Sequence, residues 1–207
     1  MTKAIIFDAD GVLLDNTEIY IKAYQETGKK LGLKIPSDSE VRKTFGPPWE
    51  EMLIKLYGKI NEDMKKTYVE ICRKLEPQIK AMDNLEYVLK KLEIRKAIAT
   101  SKSRETLKRQ LRNLIRFFEV IISREDTKKH KPDPEPLSLA CKMLCIKPKE
   151  AIYVGDAVID YEAAKNAGTG FVGFISGSAS KEEFEALNIK FITSLKDLLR
   201  EFQWKSN

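Results

Sequence analysis

The chain has 207 residues, enough to bury a full apolar core, and its 37 Lys and Arg against 31 Asp and Glu leave a formal net charge of +6. Charges of both signs are interspersed and basic runs such as Lys128–Lys131 are short, which suits an anionic small molecule better than a nucleic-acid partner, whose binder would carry a clustered basic stripe with exposed aromatics. Uncharged apolar runs such as Ala4–Phe7 are strand-sized and no basic amino end leads into a longer one, so the expectation is a cytoplasmic protein that neither spans nor binds a membrane.

In chain order, Lys3–Asp8 (KAIIFD) has the unbroken apolar character of a strand buried on both faces, and Gly11 breaks it. Thr17–Glu76 then has helical periodicity throughout, punctuated by Gly32, by Gly46-Pro47-Pro48 and by Gly58, and contains no strand signal. It is expected to be an inserted helical domain over residues 16–81, with hinges near Leu14–Thr17 and Pro77–Asp83. Beyond it, strand runs at Lys96–Thr100, Glu119–Ser123, Ala151–Gly155 and Phe171–Ile175, with an edge candidate at Lys190–Thr193, alternate with amphipathic helices. Those helices are Leu85–Leu92, Arg104–Leu114, Glu135–Leu144, Val158–Ala167 and Ser194–Phe202. Such alternation calls for an α/β domain, residues 1–15 and 82–207, built on a parallel sheet with helices on both faces. Ligands of such sheets bind at the carboxyl ends of the strands, where the strand order reverses.

The residues at those ends carry chemistry. Asp8 and Asp10 sit just past the first strand, and two carboxylates there are costly without a partner. In AIYVGDAVIDY, Asp156 follows a second strand and Asp160 lies one helical turn later; helix capping and a solvated helix position are the alternatives. Carboxylates from two strand ends suit a hard cation such as Mg2+. Thr100 and Ser101 follow a third strand and precede a helix, a place suited to phosphate oxygens or to capping. In His130-Lys131-Pro132-Asp133-Pro134 the prolines stiffen a loop that could hold Lys131 inward as a fixed positive charge, the alternative being the solvated surface usual for a lone lysine. The only histidine is His130, too few for the histidine clusters of most zinc enzymes. Cys72, Cys141 and Cys145 lack metal-type spacing and are expected to be buried thiols.

Read in order, Asp-x-Asp, Thr-Ser, Lys-Pro and Gly-Asp-x-x-x-Asp make the whole chain resemble the haloacid dehalogenase (HAD) superfamily. FDADGVLLDN and VGDAVIDYEAAKNAG are the specific segments, with IATSKS and KPDPEP in support. The likeness is to its branch of phosphoglycolate phosphatases and beta-phosphoglucomutases, with a Rossmann-like core and a helical cap. It implies Asp8 as a nucleophile forming an aspartyl-phosphate, and Asp10 as the acid and then the base. It implies Mg2+ held by Asp8, the Asp10 carbonyl and Asp156, with Asp160 nearby, and phosphoryl oxygens bound by Thr100 and Lys131. Gly46, Trp49, Ser101 and Lys102 are the expected contacts to the rest of a small phosphorylated metabolite. Trp49 has a cap-core place as its alternative. Asp10 sets the chain apart from dehalogenases and phosphonatases, which lack that acid. Mutases of this branch carry an arginine three residues after the cap glycine, where this chain has Trp49, so a phosphatase is expected before a mutase or a non-catalytic binding module. At the second hinge Ala81-Met82-Asp83 replaces the usual Pro-Gly. A monomer or weak homodimer is expected.

Overall fold

A computed structural model describes residues 1–202; residues 203–207, which the sequence reading assigns to the α/β domain, lie outside it. The strands are β1 (Ala4–Phe7), β2 (Leu14–Asp15), β3 (Lys80–Ala81), β4 (Arg95–Ala99), β5 (Val120–Ile122), β6 (Ala151–Gly155), β7 (Gly170–Phe174) and β8 (Phe191–Ile192). The helices are α1 (Thr17–Lys30), α2 (Asp38–Arg42), α3 (Trp49–Tyr57), α4 (Glu62–Leu75), α5 (Leu85–Lys91), α6 (Arg104–Leu111), α7 (Glu135–Met143), α8 (Val158–Ala167), α9 (Lys181–Ala186) and α10 (Asp197–Phe202).

Six strands form one parallel sheet in the order β5-β4-β1-β6-β7-β8. The chain winds outward from β1 through β4 to β5, then returns to β6 on the other side. Strand order therefore reverses beside β1, and the crevice this opens lies over its carboxyl end. The alternation of β1 explains both layers: Ile5 and Phe7 point into a cluster with Leu85, Leu89 and Leu107, whereas Ala4 and Ile6 meet Leu137, Ala140 and Ala163 on the opposite face. With both faces covered, the strands need the continuous apolar runs seen in the sequence.

Helices α1 to α4 enclose an apolar cluster of their own, including Tyr24, Leu53, Met64 and Tyr68. The two connections to the sheet are tied together, since β2 and β3 pair antiparallel, with Leu14 opposite Ala81 and Asp15 opposite Lys80. These two-residue strands carry no period and escaped the sequence reading. Three other expectations shift. The helix expected over Arg104–Leu114 ends at Leu111 and continues as a 3-10 turn over Arg112–Phe117, because Arg112 takes a positive φ of 48°. Helix α9 was not expected; Ser180 and Glu183 cap it reciprocally. Of the three thiols Cys141 is buried, Cys72 half-buried and Cys145 exposed, all unpaired, so burial holds for one of them. Cys145 lies just past the end of α7 at a positive φ of 52°, where the chain turns toward β6. No described helix is long and apolar enough to cross a membrane.

Candidate active site

Asp8 is the first residue beyond β1, kept in line by its amide, which donates to the Val154 carbonyl on β6 at 2.9 Å. The chain then turns sharply, the amides of Leu13 and Leu14 both donating to the Ala9 carbonyl. Gly11 makes the turn at φ 68°, and a Cβ there would lie 1.9 Å from Asp156 Oδ2, so glycine is required twice over. Asp10, on the same turn, is 41% exposed at its side chain, and its Oδ1 accepts from both Lys102 Nζ (2.8 Å) and Asn16 Nδ2.

Lys131 Nζ bridges Asp8 Oδ2 at 3.0 Å and Asp160 Oδ1 at 2.7 Å, and all three side chains are buried. It is not a solvated lysine. Asp160, fully buried, also accepts the amides of Asp156 and Ala157 on Oδ2 at 3.1 Å each, so it closes the amino end of α8. Tyr153 Oη donates onward to the Ala99 carbonyl at 3.1 Å. Asp156 is buried and does not cap α8, where Ala157 stands at that position; its Oδ2 accepts from the Ser176 hydroxyl at 3.2 Å.

Burial pushes the Asp8 carboxyl up to about 6, Lys131 pulling it down and the charges of Asp160 and Asp10 adding to the rise. Burial, with Asp160, also holds Asp156 well above the carboxylate range. For Lys131 burial favours the neutral amine, but the Asp160 and Asp8 carboxylates outweigh it and raise its pKa. Lys102 follows the same pattern through Asp10 and Tyr20.

The donor set fits a hard cation. Oxygens of Asp8, Asp156 and Asp160 lie within 4.8 Å of one another, and Asp8 Oδ1 is buried without a hydrogen-bond partner. A crowded all-carboxylate cluster with an orphaned acceptor is what Mg2+ would relieve.

The residues after β4 separate in role. Thr100 is buried and accepts the Lys102 amide at 3.3 Å; the helix cap is Ser103 instead, which accepts from Thr106. Ser101 donates its hydroxyl to the Gly46 carbonyl at 2.7 Å, and Lys102 donates to Tyr20 Oη at 2.6 Å, so both reach the helical segment. Gly46 takes φ 113°, and a Cβ there would lie 2.1 Å from Ile159 Cγ2. Trp49 stacks on Tyr68 with centroids 5.2 Å apart, the cap-core place expected as its alternative, and also lines the cavity. The cavity, about 250 Å³, runs from Asp8, Asp10, Thr100, Lys131 and Asp156 to the aromatic side chains of α1–α4. Two ion pairs also cross the seam, Arg124 Nη1 donating to both Glu50 oxygens (3.0 Å each) and Arg109 Nε to both Glu76 oxygens (2.9 Å each). Asn16, Tyr20 and these pairs were missed, because no local pattern joins residues 33 or 74 positions apart.

A reversal point lined by buried carboxylates and a buried lysine defines an α/β enzyme site. The family model for haloacid dehalogenase-like hydrolases matches residues 5–174, and the chain belongs to that family. It is 32% identical over 201 residues to the pyrophosphatase PpaX of Bacillus velezensis, covering 88% of each chain. It is 30% identical to the phosphoglycolate phosphatase of Aquifex aeolicus, over 81% of this chain and 82% of the other. A phosphorylated carbohydrates phosphatase of Thermotoga maritima is 32% identical, with 80% and 82% covered. Among solved structures, a haloacid dehalogenase-like protein of Bacteroides fragilis superposes with a TM-score of 0.86 at 29% identity, over 96% of this chain and 100% of that one.

Proposed function

We propose that the chain is a Mg2+-dependent phosphatase of small phosphomonoesters that works through an aspartyl-phosphate on Asp8, with α1–α4 (within residues 16–81) as its cap. The observation that carries the reading is Asp8 itself, buried at the strand-order reversal with one oxygen fixed by Lys131 and the other without a hydrogen bond. Such a carboxylate is desolvated and positioned, as a nucleophile must be. In the first displacement the Asp8–phosphorus bond forms as the ester oxygen–phosphorus bond breaks, and Asp10 gives its proton to the departing oxygen. In the second, water attacks phosphorus, the Asp8 oxygen leaves as carboxylate, and Asp10 takes the water's proton.

Two donors hold Asp10 Oδ1, which leaves Oδ2 to carry the proton. Thr100 and Lys131 bind the phosphoryl oxygens as charge moves between them. Asp8, Asp156 and the Asp10 carbonyl would hold Mg2+; Asp160, with both oxygens engaged, orients Lys131 and the Asp156 loop from behind. When bound, the ion offsets the repulsion between carboxylate and phosphate. Trp49, in place of a charged residue, favours hydrolysis over transfer between two phosphate positions of one sugar.

The test is phosphate release from p-nitrophenyl phosphate with and without Mg2+, with Asp8→Asn as control. Turnover is expected to need both the ion and Asp8, and undiminished turnover in Asp8→Asn refutes the mechanism. For Asp10→Asn a larger loss is expected on alkyl than on nitrophenyl esters, since only poor leaving groups need the proton; equal losses remove Asp10 from that role.

A further inference from the structure

Resting on that reading of the site, we propose that the substrates are phosphate monoesters of a ring-bearing alcohol, the ring lying against Trp49 and an anionic group at its far end meeting Arg73, and that pyrophosphate is a poor substrate. One side of the wall beyond the reacting carboxylates is aromatic, with Tyr20, Tyr24, Phe45, Trp49 and Tyr68 beside Met52, while Glu76 and polar side chains of α6 such as Thr106 and Gln110 line the rest. Tyr24 stacks on Tyr68 with centroids 4.7 Å apart and Tyr68 on Trp49 at 5.2 Å. Tyr24 and Tyr68 are buried, while Trp49 and Phe45 remain half-buried along the cavity. A planar ring laid on Trp49 would extend that column by one member.

The charges argue the same way. Of the lining cations, Lys131 is held by Asp8 and Asp160, Lys102 by Asp10, Arg124 by Glu50 and Arg109 by Glu76. Among the described residues, Arg73, an exposed residue of α4 at the wall, is the one lining cation with no hydrogen bond or ion pair. The cations that touch the reacting carboxylates, Lys102 and Lys131, are already paired, so the distal phosphate of a pyrophosphate would lose water there without gaining an uncommitted cation from the sheet edge, which is costly. A ring gains contact there instead, and one terminal carboxylate or phosphate is matched by one guanidinium.

The experiment uses the full chain with Mg2+ and compares kcat/KM for ethyl phosphate, 2-phenylethyl phosphate, 2-(4-carboxyphenyl)ethyl phosphate and pyrophosphate; the two unsubstituted alcohols have similar acidity, so chemistry is held level. Calorimetric titration of Asp8→Asn with the same compounds reads binding without turnover. The ring should raise both kcat/KM and affinity by roughly tenfold or more over the ethyl ester. The carboxylate should add a further gain of about five- to tenfold, lost in Arg73→Gln. Trp49→Leu should shrink the ratio of phenylethyl to ethyl ester. Equal values for the ethyl and phenylethyl esters, or pyrophosphate as the best substrate, overturn the proposal even while p-nitrophenyl phosphate is turned over in an Asp8-dependent way. If nothing is hydrolysed the catalytic reading fails on its own, and the titrations still decide whether the chamber prefers a ring.

Discussion

Asp8→Asn should make the metal-free protein more stable than the wild type at neutral pH, and the gain should vanish in acid. In the folded state burial lifts the Asp8 carboxyl from its ordinary value of 3.8 to about 6, so the native protein holds this proton more tightly than the unfolded chain. The resulting stability is fully present below pH 3.8 and is lost as pH rises through about 6. That interval, at 1.36 kcal/mol per pH unit, is worth about 3 kcal/mol. Asparagine has nearly the same shape and no proton to lose, so its stability curve lacks this fall. The charge of Asp8 is also one cause of the high Asp156 pKa, so the substitution eases that neighbour too and widens the gap. Urea unfolding in EDTA at intervals from pH 4.5 to 7.5 measures the difference. Mg2+ should then narrow the difference at pH 7.5, since ligand at about 100 times its Kd stabilises the native wild type by about 2.7 kcal/mol, close to the size of the gap. Parallel curves for the two proteins, or a mutant that weakens relative to wild type as pH rises, would show that Asp8 is not the desolvated carboxylate described here.

Lys131→Met leaves the buried carboxylates of Asp8, Asp156 and Asp160 without their cation and should cost about 3–5 kcal/mol in metal-free unfolding, while moving the acid limb of the rate profile above 6; an unchanged limb would detach Lys131 from Asp8. Gly46→Ala places a Cβ 2.1 Å from Ile159 Cγ2 at φ 113°, a strain of about 1–3 kcal/mol, and it should raise KM with little change in the unfolding of the α/β core. Glu50→Gln breaks a seam pair whose side chains are about one-third exposed, so stability should move by about 1 kcal/mol or less. Steady-state kinetics should nevertheless show a higher KM and a weaker dependence of KM on salt.

What could be read in the sequence is what regular structure determines. Asp8, Thr100 and Asp156 each stand immediately after a buried strand, and unbroken apolar runs mark strand ends well enough to place all three at one edge. The inward turn of Lys131 is different, because prolines mark a stiff loop without giving its direction. The double engagement of Asp160 likewise depends on Lys131, 29 residues away. At the seam, Arg124 and Glu50 come from segments that only the closed arrangement of sheet and helices brings together. The exposed Cys145 departs from expectation because its position follows the end of α7, where the chain turns at a positive φ, and not the apolar period of the helix.

Thr100, Ser101 and Lys102 occupy one turn after β4, and their side chains face three different demands. Thr100 stays with the buried carboxylates, Ser101 holds the Gly46 carbonyl, and Lys102 spans Asp10 and Tyr20. Withdrawal of α1–α4 would strip Ser101 and Lys102 of their partners from that segment while leaving the Lys102–Asp10 pair inside the α/β unit. Lys102 would then hold Asp10 more freely, with one anchor in place of two, and its ammonium would regain water. If Asp10 is the acid, as proposed, it would be best fixed with the helical segment seated, when the aromatic side chains would also enclose the leaving group and exclude bulk water. On that mechanism a substrate that seats the segment by filling those walls would order Asp10 as well, and binding contacts remote from phosphorus would act on the step that breaks the ester.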